Sequence, residues 1–370
     1  MTSSEGIWIK QKRIKECINM KATKKVVGEL EKCYSLAVLN YQGKDHFLCA
    51  AEKQNECYLI SLEGEIEDTV WEGPGGVMTM IQMPKGAPDG QFLATRKFYS
   101  PNDGKEASII ICTPKGKGDW EVRTLCTLPF VHRFGILQSH GKNYLIACAL
   151  KSDAEGRDDW RFPGKVFGAE LPTDLSAYGD GKELELKVLK EDLLKNHGYY
   201  VHEDGEGQTS AIVSTDNGVF QFVPPASDGA DWTIETLTTD AASDGLLVDL
   251  NGDGVEELCT IAPFHGDTVN IYRKEGGKFV LDYTYPEKLE FLHAICADVI
   301  NGKPYWFLGN RKGNRDLLAF SYDKEQGYHA EKLDEGYGAA NVLMYHLGDK
   351  NILMAANRES NEIARYEISC

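Results

Sequence analysis

The feature that most constrains the fold is a strand–turn–strand unit that recurs along the chain. In one copy, an apolar stretch at 291–298 leads through Asn301 and Gly302 into a second apolar stretch at 305–311. Candidate first strands begin near positions 36, 77, 134, 199, 246, 294 and 342, at intervals of roughly 40–50 residues. Repeats of this length that are built from short strands are typical of β-propellers, in which each unit forms one blade. Seven units therefore predict an all-β, seven-bladed propeller.

The last unit, 341–370, has room for only three strands. The alternating segment 7–14 near the N-terminus would supply the missing outer strand, and so close the ring without free edges. Length alone would allow two domains. A closed array of seven blades instead uses residues 1–370 as a single domain.

Composition narrows the possible partners and the compartment. A net charge of −17 argues against nucleic acid as the main partner. No apolar run resembles a secretion signal or a membrane-spanning helix. The ten cysteines form no C-x-x-C pair, and several lie inside apolar strands as small hydrophobic residues. We therefore expect a cytoplasmic protein with reduced thiols and no membrane partner, for which a homo-oligomer is compatible.

One blade position carries polar residues in several units. His132 and His293 each lie nine residues before the first turn glycine of their unit. The same layout places His197, Asp244 and Asn341 at this position in three other blades. This position is the entry to the innermost strand, which lines the central channel of a propeller. We expect these side chains to converge on one axis.

A second polar set follows the second strands of the units and includes His265. Second strands run antiparallel to first strands, so these loops open toward the same face as the first set. Trp160, in an insertion at 151–164, would stack on a sugar face. The residues predicted to bind the substrate are Lys97, Tyr99, Lys151, Trp160, Arg311, Asn341, Asn357 and Arg358.

Neutral imidazoles with a carboxylate are a common ligand set for Zn²⁺ and similar divalent ions. We predict such a metal, of the Zn, Mn or Mg class, on His132, His197, His265, His293 and Asp244. The four histidines are also the candidates for catalytic proton transfer, without a division of roles among them. A small, polar, sugar-like substrate fits this pocket better than a polymer. The chain has no G-x-S-x-G motif, phosphate loop or nucleotide fingerprint.

The turn at 249–257 predicts a separate, structural cation site. Asp249, Asn251, Asp253 and Glu257 place side-chain oxygens around a turn with two glycines, an arrangement that binds Ca²⁺ or Mg²⁺. The flanking strands, and Thr260 at the twelfth position, exclude an EF-hand. The turn resembles the calcium loop of FG-GAP/VCBS-type propeller repeats over this one blade. In that family the ion is structural.

The seven units, this loop and the histidine-lined channel together resemble the propeller of aldos-2-ulose dehydratases, which are lyases of ketosugars. The resemblance implies a metal-assisted β-elimination, in which a histidine removes the proton beside the ketone and water leaves. It covers the propeller only, since the chain has no room for the cupin domains of those enzymes. Isomerisation of the same substrates is a related possibility. The alternative is a non-catalytic FG-GAP-like propeller that binds a protein or glycan on one face.

Overall fold

A computed structural model of the chain describes residues 20–156, 158–179 and 181–370. Within these residues the regular structure consists of strands, arranged as seven four-stranded antiparallel sheets. The strands are β1 (Lys21–Glu29), β2 (Cys33–Tyr41), β3 (Lys44–Ala51), β4 (Cys57–Ser61), β5 (Ile66–Trp71), β6 (Met80–Gln82), β7 (Phe92–Arg96), β8 (Ser108–Gly116), β9 (Asp119–Thr127), β10 (Val131–Ser139), β11 (Lys142–Lys151), β12 (Pro163–Glu170), β13 (Lys187–Leu193), β14 (Gly198–Glu203), β15 (Thr209–Thr215), β16 (Gly218–Val223), β17 (Thr233–Thr238), β18 (Asp244–Val248), β19 (Glu257–Ala262), β20 (Thr268–Glu275), β21 (Lys278–Thr284), β22 (Leu292–Ile300), β23 (Lys303–Asn310), β24 (Leu317–Asp323), β25 (Gly327–Asp334), β26 (Asn341–Leu347), β27 (Lys350–Asn357) and β28 (Glu362–Ser369).

Each sheet is one blade, and the predicted seven-bladed propeller is confirmed. Blades one to six follow the chain, from β2–β5 to β22–β25, and blade seven consists of β26, β27, β28 and β1. The closing strand is β1, which pairs antiparallel with β28 from Lys21 opposite Ser369 onward. The segment 7–14, predicted for this place, lies outside the described residues. Strand β2 packs beside β26 and β27, so blade one adjoins blade seven.

Tight turns join the first and second strands of several blades. In the β2–β3 turn, Gln42 and Gly43 both have positive φ, of 54° and 70°. In the β22–β23 turn, Asn301 and Gly302 have φ values of 52° and 83°. Two successive left-handed residues make the type I′ turn, whose twist matches that of the paired strands. This is why a glycine recurs at the position used to align the units.

The core is divided among the junctions between blades. Seven buried apolar clusters lie in the described chain, and six of them are each formed mainly by two neighbouring blades. The seventh joins blades two and three and also includes Tyr34 and Ala340. Between blades seven and one, for example, Cys49 and Ile60 pack with Met354 and Ile363. Second strands such as β3 and β27 are buried on both faces, because a blade lies against each side of them. Burying one such aliphatic side chain contributes about 1.5–3 kcal/mol.

The eight described cysteines that lie inside the fold are free and buried, as the sequence predicts for small hydrophobic residues. Burial raises the pKa of Cys148 to about 12. No helix in the described part of the chain is long and apolar enough to cross a membrane.

Candidate metal centre

Bulges at the start of three inner strands aim side chains at the propeller axis. The register of β10 against β11 skips His132, and that of β22 against β23 skips His293. The register of β2 against β3 skips Tyr34 in the same way. An extra residue in one strand leaves its side chain out of the alternation of the pleat. The bulges therefore turn these three side chains out of their blades and into the channel.

The two bulge histidines are held in one tautomer by the neighbouring blade. His132 Nδ1 lies 3.1 Å from the carbonyl oxygen of His197, and His293 Nδ1 lies 2.7 Å from that of Ala340. A carbonyl oxygen only accepts hydrogen bonds, so each Nδ1 carries the proton and donates it. The Nε2 atom of each ring is consequently an acceptor with a lone pair that faces the channel. Metal-binding histidines are commonly oriented in this way.

Asp244 gives His197 the same orientation. His197 Nδ1 donates to Asp244 Oδ2 at 2.9 Å and also lies 3.1 Å from the carbonyl oxygen of Ser243. Asp244, predicted as a metal ligand, thus lies behind His197, and its carboxylate is not among the ligand atoms that converge. Its position suits a partner that orients His197 Nε2 toward the axis.

Three of the four predicted histidines bring ligand atoms together. The nitrogen atoms of His197, His265 and His293 all lie within 4.8 Å of one another, and His197 Nε2 is 3.3 Å from His265 Nε2. Two nitrogens that each lie about 2.0–2.1 Å from a tetrahedral metal would be separated by about 3.3–3.4 Å. The His197–His265 pair fits that separation as it stands. His132 is adjacent, with its ring centroid 4.5 Å from that of His197, but lies outside this set of three.

His265 comes from the loop after β19 and is the most exposed of the four histidines. Its backbone has a φ of 50°, and its N–H donates to Ser243 Oγ at 3.3 Å. Its ring stacks on Phe264, with centroids 3.9 Å apart, and packs against Phe291 at 4.3 Å. These two aromatic rings flank the one histidine of the four that is partly exposed, and so form the walls of the open side of the cluster.

Tyr34 is the member of the centre that the sequence reasoning missed. Its hydroxyl lies 3.0 Å from His293 Nε2 and 3.4 Å from His132 Nε2. The available signal was the same nine-residue spacing, because Tyr34 lies nine residues before Gly43. Burial raises the pKa of Tyr34 to about 12, so the hydroxyl keeps its proton.

The hydrogen bonds inside the cluster leave one acceptor in excess. His132, His197 and His293 each present an Nε2 lone pair, because their Nδ1 atoms are donors. Only the Tyr34 hydroxyl and His265 Nε2–H stand opposite them as donors. A divalent cation on His197, His265 and His293 would use the Nε2 lone pairs of His197 and His293, and the Nε2 lone pair of His265 once the proton of that ring lies on Nδ1. In this respect the residues fit such an ion.

The electrostatics keep the imidazoles neutral. Burial lowers the pKa of His132, His265 and His293 well below its usual range in each case. The positive charge of Arg311 lowers the pKa of His265 and His293 further, and that of Arg133 does the same for His132. Neutral imidazole is the form that binds a metal, so the centre is ready for a cation at neutral pH without first losing protons.

Two arginines of the predicted second ring form an ion-pair network beside the cluster. Arg311 donates from Nε and Nη2 to Glu359 Oε1 at 2.9 and 2.7 Å, and Arg358 Nη1 donates to the same oxygen at 2.8 Å. Arg358 also pairs with Glu52. Burial acts to raise the pKa of Glu359, but the two guanidinium groups outweigh it and hold the pKa below its usual range.

Asn341 belongs to the inner wall of the channel. Its Nδ2 donates to the carbonyl oxygen of Tyr34 at 2.7 Å, and its Oδ1 accepts from Arg133 Nη2 at 3.3 Å. Asn357 instead turns toward its own blade, where its Nδ2 donates to Glu362 Oε1 at 2.9 Å. Asn341 therefore contacts residues of the centre, whereas the side-chain amide of Asn357 is bound within its own blade.

The predicted contacts of blade two, Lys97 and Tyr99, have partners outside the histidine set. Lys97 Nζ pairs with Glu106 at 3.0 Å on a largely exposed surface. Tyr99 is half-buried, and its carbonyl oxygen accepts from Lys53 Nζ. Phe98, between them, is the residue of this loop that packs on His132, with ring centroids 5.1 Å apart.

The insertion after β11 reaches the centre through aromatic rings. Lys151 is fully buried, donates to the carbonyl oxygen of Asp159 at 2.8 Å, and lies 4.0 Å above the ring of Trp160. Burial lowers the pKa of Lys151. Trp160 packs edge-on against Phe264 at 5.2 Å, and Phe264 in turn stacks on His265. Trp160 therefore forms the outer wall beside the open side of the cluster.

The turn at 249–257 uses its side-chain oxygens as internal acceptors. Asp249 accepts from the backbone N–H groups of Gly252 and Gly254, at 2.8 and 2.9 Å. Glu257 accepts from the backbone of Leu250 at 2.8 Å and from the amide of Asn251, and Asp253 accepts from that of Val255. Among the described residues, only the histidine set brings three metal-binding side chains together. A Ca²⁺ or Mg²⁺ ion at Asp249, Asn251, Asp253 and Glu257 stays a prediction.

Two surface cavities lie away from the histidines. One, of about 920 Å³, lies between the outer parts of blades three and four and is lined by Tyr144 and Trp232. The other, of about 550 Å³, is lined by Gln82 and the loop that follows it. Neither includes a residue predicted for the site.

The fold and the histidine cluster together define a seven-bladed β-propeller with a candidate metal centre at its axis. Comparison with protein-family models and with curated proteins gives no match. Among solved structures, a streptogramin B lyase is similar over 96% of this chain and 100% of its own, with 12% identity and a TM-score of 0.57.

Two further structures are similar at the same level. Sqt1 of Saccharomyces cerevisiae matches with 9% identity and a TM-score of 0.53, over 90% of this chain and 83% of its own. An auxiliary nutrient binding protein from Bacteroides thetaiotaomicron matches with 12% identity and a TM-score of 0.50, over 92% and 70%. At such identities the similarity shows the fold alone. The resemblances to FG-GAP/VCBS repeats and to aldos-2-ulose dehydratases stay predictions.

Proposed function

We propose that this chain is a metal-dependent carbon–oxygen lyase that dehydrates a ketosugar or keto-glycoside at the propeller axis. The observation that carries the proposal is the convergence of His197, His265 and His293 within 4.8 Å, with the pKa of His265 and His293 lowered by burial. A divalent ion held there would supply Lewis-acid polarisation of a substrate carbonyl oxygen. Of the three predicted metals, three imidazoles favour Zn²⁺ over Mn²⁺ and Mg²⁺.

The proton transfers fall to His132 and Tyr34. His132 lies outside the metal-binding set, and its Nε2 lone pair makes it the candidate base for the C–H beside the carbonyl. As that bond breaks, the C=C bond forms, and the hydroxyl on the next carbon leaves with the proton of Tyr34 as water. His132 Nε2–H then returns its proton to the Tyr34 oxygen, 3.4 Å away. Without a leaving group, the same deprotonation would give isomerisation.

Substrate would enter beside His265, the most exposed of the histidines. Arg311, Asn341 and Arg358 would orient hydroxyl groups, and Trp160 would offer a ring at the edge. The support for Arg311 and Asn341 is their contact with Phe291 and with the carbonyl oxygen of Tyr34, and that for Trp160 is its contact with Phe264. Lys97, Tyr99, Lys151 and Asn357 are proposed contacts on sequence grounds only. A cytoplasmic location, and the absence of nucleic-acid and membrane partners, are proposed on the same grounds.

One observation favours the alternative, a non-catalytic propeller that binds a protein or glycan. His132, His197 and His293 are 3%, 0% and 2% exposed. Structural metal sites are closed in this way, whereas catalytic sites keep a position open to substrate. In that case the ion would tie blades together, and binding would use the rim.

Two measurements on the purified chain test the proposal. Zinc titration should give about one tightly bound ion per chain. His197→Ala and His293→Ala should lose this ion while His346→Ala, at an exposed histidine paired with Asp298, should keep it. The loaded protein is then screened against ketosugars for a new ultraviolet-absorbing enone.

Binding of the ion together with enone formation supports the lyase. Binding of the ion without turnover of any ketosugar supports the non-catalytic alternative. If zinc does not bind, or if the three histidine variants behave alike, the proposal fails.

A further inference from the structure

The charge around the histidine cluster is positive, although the whole chain carries a net charge of −17. Lys195 Nζ lies 5.4 Å above the ring of Phe264, and Lys312 Nζ lies 5.2 Å above that of Phe291. Arg311 also stacks on Phe291, at 4.6 Å. These are the two rings that flank His265. Cations therefore stand on both walls of the open side of the centre.

A fourth cation lies on the inner side of the cluster. Arg133 is only 8% exposed, donates to the carbonyl oxygen of Met78 at 2.6 Å, and lies 5.5 Å above the ring of Tyr34. Its other bond is to Asn341 Oδ1. Both acceptors are neutral, so no carboxylate of the described chain compensates this buried charge. A buried charge without a counter-ion is costly, and an anion from outside would relieve that cost.

We define the cationic rim as Arg133, Lys195, Arg311 and Lys312. Lys195 pairs with Asp216 at 2.7 Å, and Arg311 pairs with Glu359 at 2.7 Å. In the described part of the chain, Arg133 and Lys312 form no ion pair. Asp244, beside His197, is a third carboxylate at the cluster, whereas the charge of Glu52 is offset by Arg358, with which it pairs. The group is thus one charge positive by itself, and a divalent ion on the histidines would raise this to three.

The charges of the rim lie close to His265. Arg311 and Lys312 pack on Phe291, whose ring centroid is 4.3 Å from that of His265. Lys195 packs on Phe264, whose ring centroid is 3.9 Å from that of His265. Cations this close to a metal centre oppose its loading unless an anion joins them.

We propose that the cationic rim is a binding subsite for an anionic group, so that the substrate is a sugar derivative with a carboxylate or a phosphate. That the anion belongs to a substrate rests on the proposed function, whereas the binding of the anion does not. Arg133 and Arg311 offer planar guanidinium groups, which suit both anions, and Lys312 offers a mobile charge at the entrance.

Calorimetry on the zinc-loaded chain tests the subsite with three probes of one shape: glucose, glucuronate and glucose 6-phosphate. One or both anions should bind roughly tenfold more tightly than glucose, and the advantage should shrink with added salt. Whichever of glucuronate and glucose 6-phosphate binds more tightly shows whether the subsite prefers a carboxylate or a phosphate. If glucose binds as tightly as both anions, or if none of the three binds, the subsite is refuted.

Substitutions in the cationic rim show which residues produce the preference for an anion. Lys312→Gln should weaken binding of the preferred anion by roughly fivefold and leave glucose unchanged. Lys303→Gln is the matched control, because its Nζ lies 5.3 Å above the ring of Tyr305 at the other end of the same strand. Equal losses in both variants would refute the assignment. Arg133→Gln should weaken binding of the preferred anion by roughly tenfold or more. If Arg133→Gln does not fold, the result for Lys312→Gln alone tests the assignment.

The outcome is separable from that of the proposed function. Anion binding at Lys312 without elimination chemistry upholds the subsite and refutes the lyase. Elimination from neutral ketosugars, with no preference for charged ones, upholds the lyase and refutes the subsite.

Discussion

Asp244→Asn should weaken metal binding without unfolding the protein. The Asp244 carboxylate is 3% exposed, and it accepts from His197 Nδ1 at 2.9 Å and from Ser243 Oγ at 3.3 Å. Asparagine preserves the shape but removes the charge that favours Nδ1–H on His197. Replacing such a partner of a metal ligand typically costs 10–100-fold in metal affinity, or about 1.4–2.8 kcal/mol.

The effect can be measured as metal-linked stability. A ligand that binds only the native state stabilises it by RT ln(1 + [L]/Kd), which is about 2.7 kcal/mol at a hundred times Kd. At that same zinc concentration, a 10–100-fold weaker site retains only about 1.4–0.4 kcal/mol. Urea unfolding of wild type and variant, each with zinc and with EDTA, gives this difference directly.

Asp298→Asn is the matched control, because Asp298 accepts from His346 Nε2 at the same 2.9 Å but at the protein surface. It should leave the zinc-dependent stabilisation at the wild-type value. An Asp244→Asn variant that also keeps that value would refute the role of Asp244. A variant that loses stability equally with zinc and with EDTA would show a purely structural carboxylate.

Three further predictions concern stability. Burial lowers the folded-state pKa of His132, His265 and His293. Below about pH 6.5, the pKa of histidine in the unfolded chain, the unfolded chain therefore binds more protons than the folded one, and the free energy of unfolding in EDTA should fall by up to about 1.4 kcal/mol per histidine and pH unit until the folded-state pKa is reached. A free energy of unfolding in urea that does not change between pH 7 and pH 5 would contradict this. Glu359→Gln should lower the free energy of unfolding in urea by about 1–3 kcal/mol, because it leaves Arg311 and Arg358 without their shared partner. The control Glu335→Gln, at an exposed pair with Lys332, should lower it by at most about 1 kcal/mol. Equal losses in the two variants would count against the network. Gly135→Ala should lower the free energy of unfolding by about 1–3 kcal/mol, because a Cβ there would lie 1.6 Å from the hydroxyl of Tyr199. The control Gly116→Ala places a Cβ that meets nothing within 4 Å, so the free energy of unfolding should hardly change. An unchanged stability of Gly135→Ala would mean that blades three and four separate easily.

The sequence by itself determined the architecture and part of the centre. Strand alternation and turn chemistry are local, so a repeated unit predicts a blade wherever it occurs. The distance from the inner-strand bulge to the first turn glycine is also local, which is why it selected His132 and His293, both of which lie at such bulges. Tyr34 obeys the same spacing and was missed only because tyrosine is not a usual metal ligand.

Only the tertiary structure decided how the side chains of different blades meet. Asp244 orients His197, Arg311 pairs with Glu359 from the next blade, and Lys97 turns to Glu106. Each outcome depends on distances of a few tenths of an ångström between packed sheets, which no repeat pattern encodes. Blade packing sets those distances, and with them which of the predicted polar residues reach the axis.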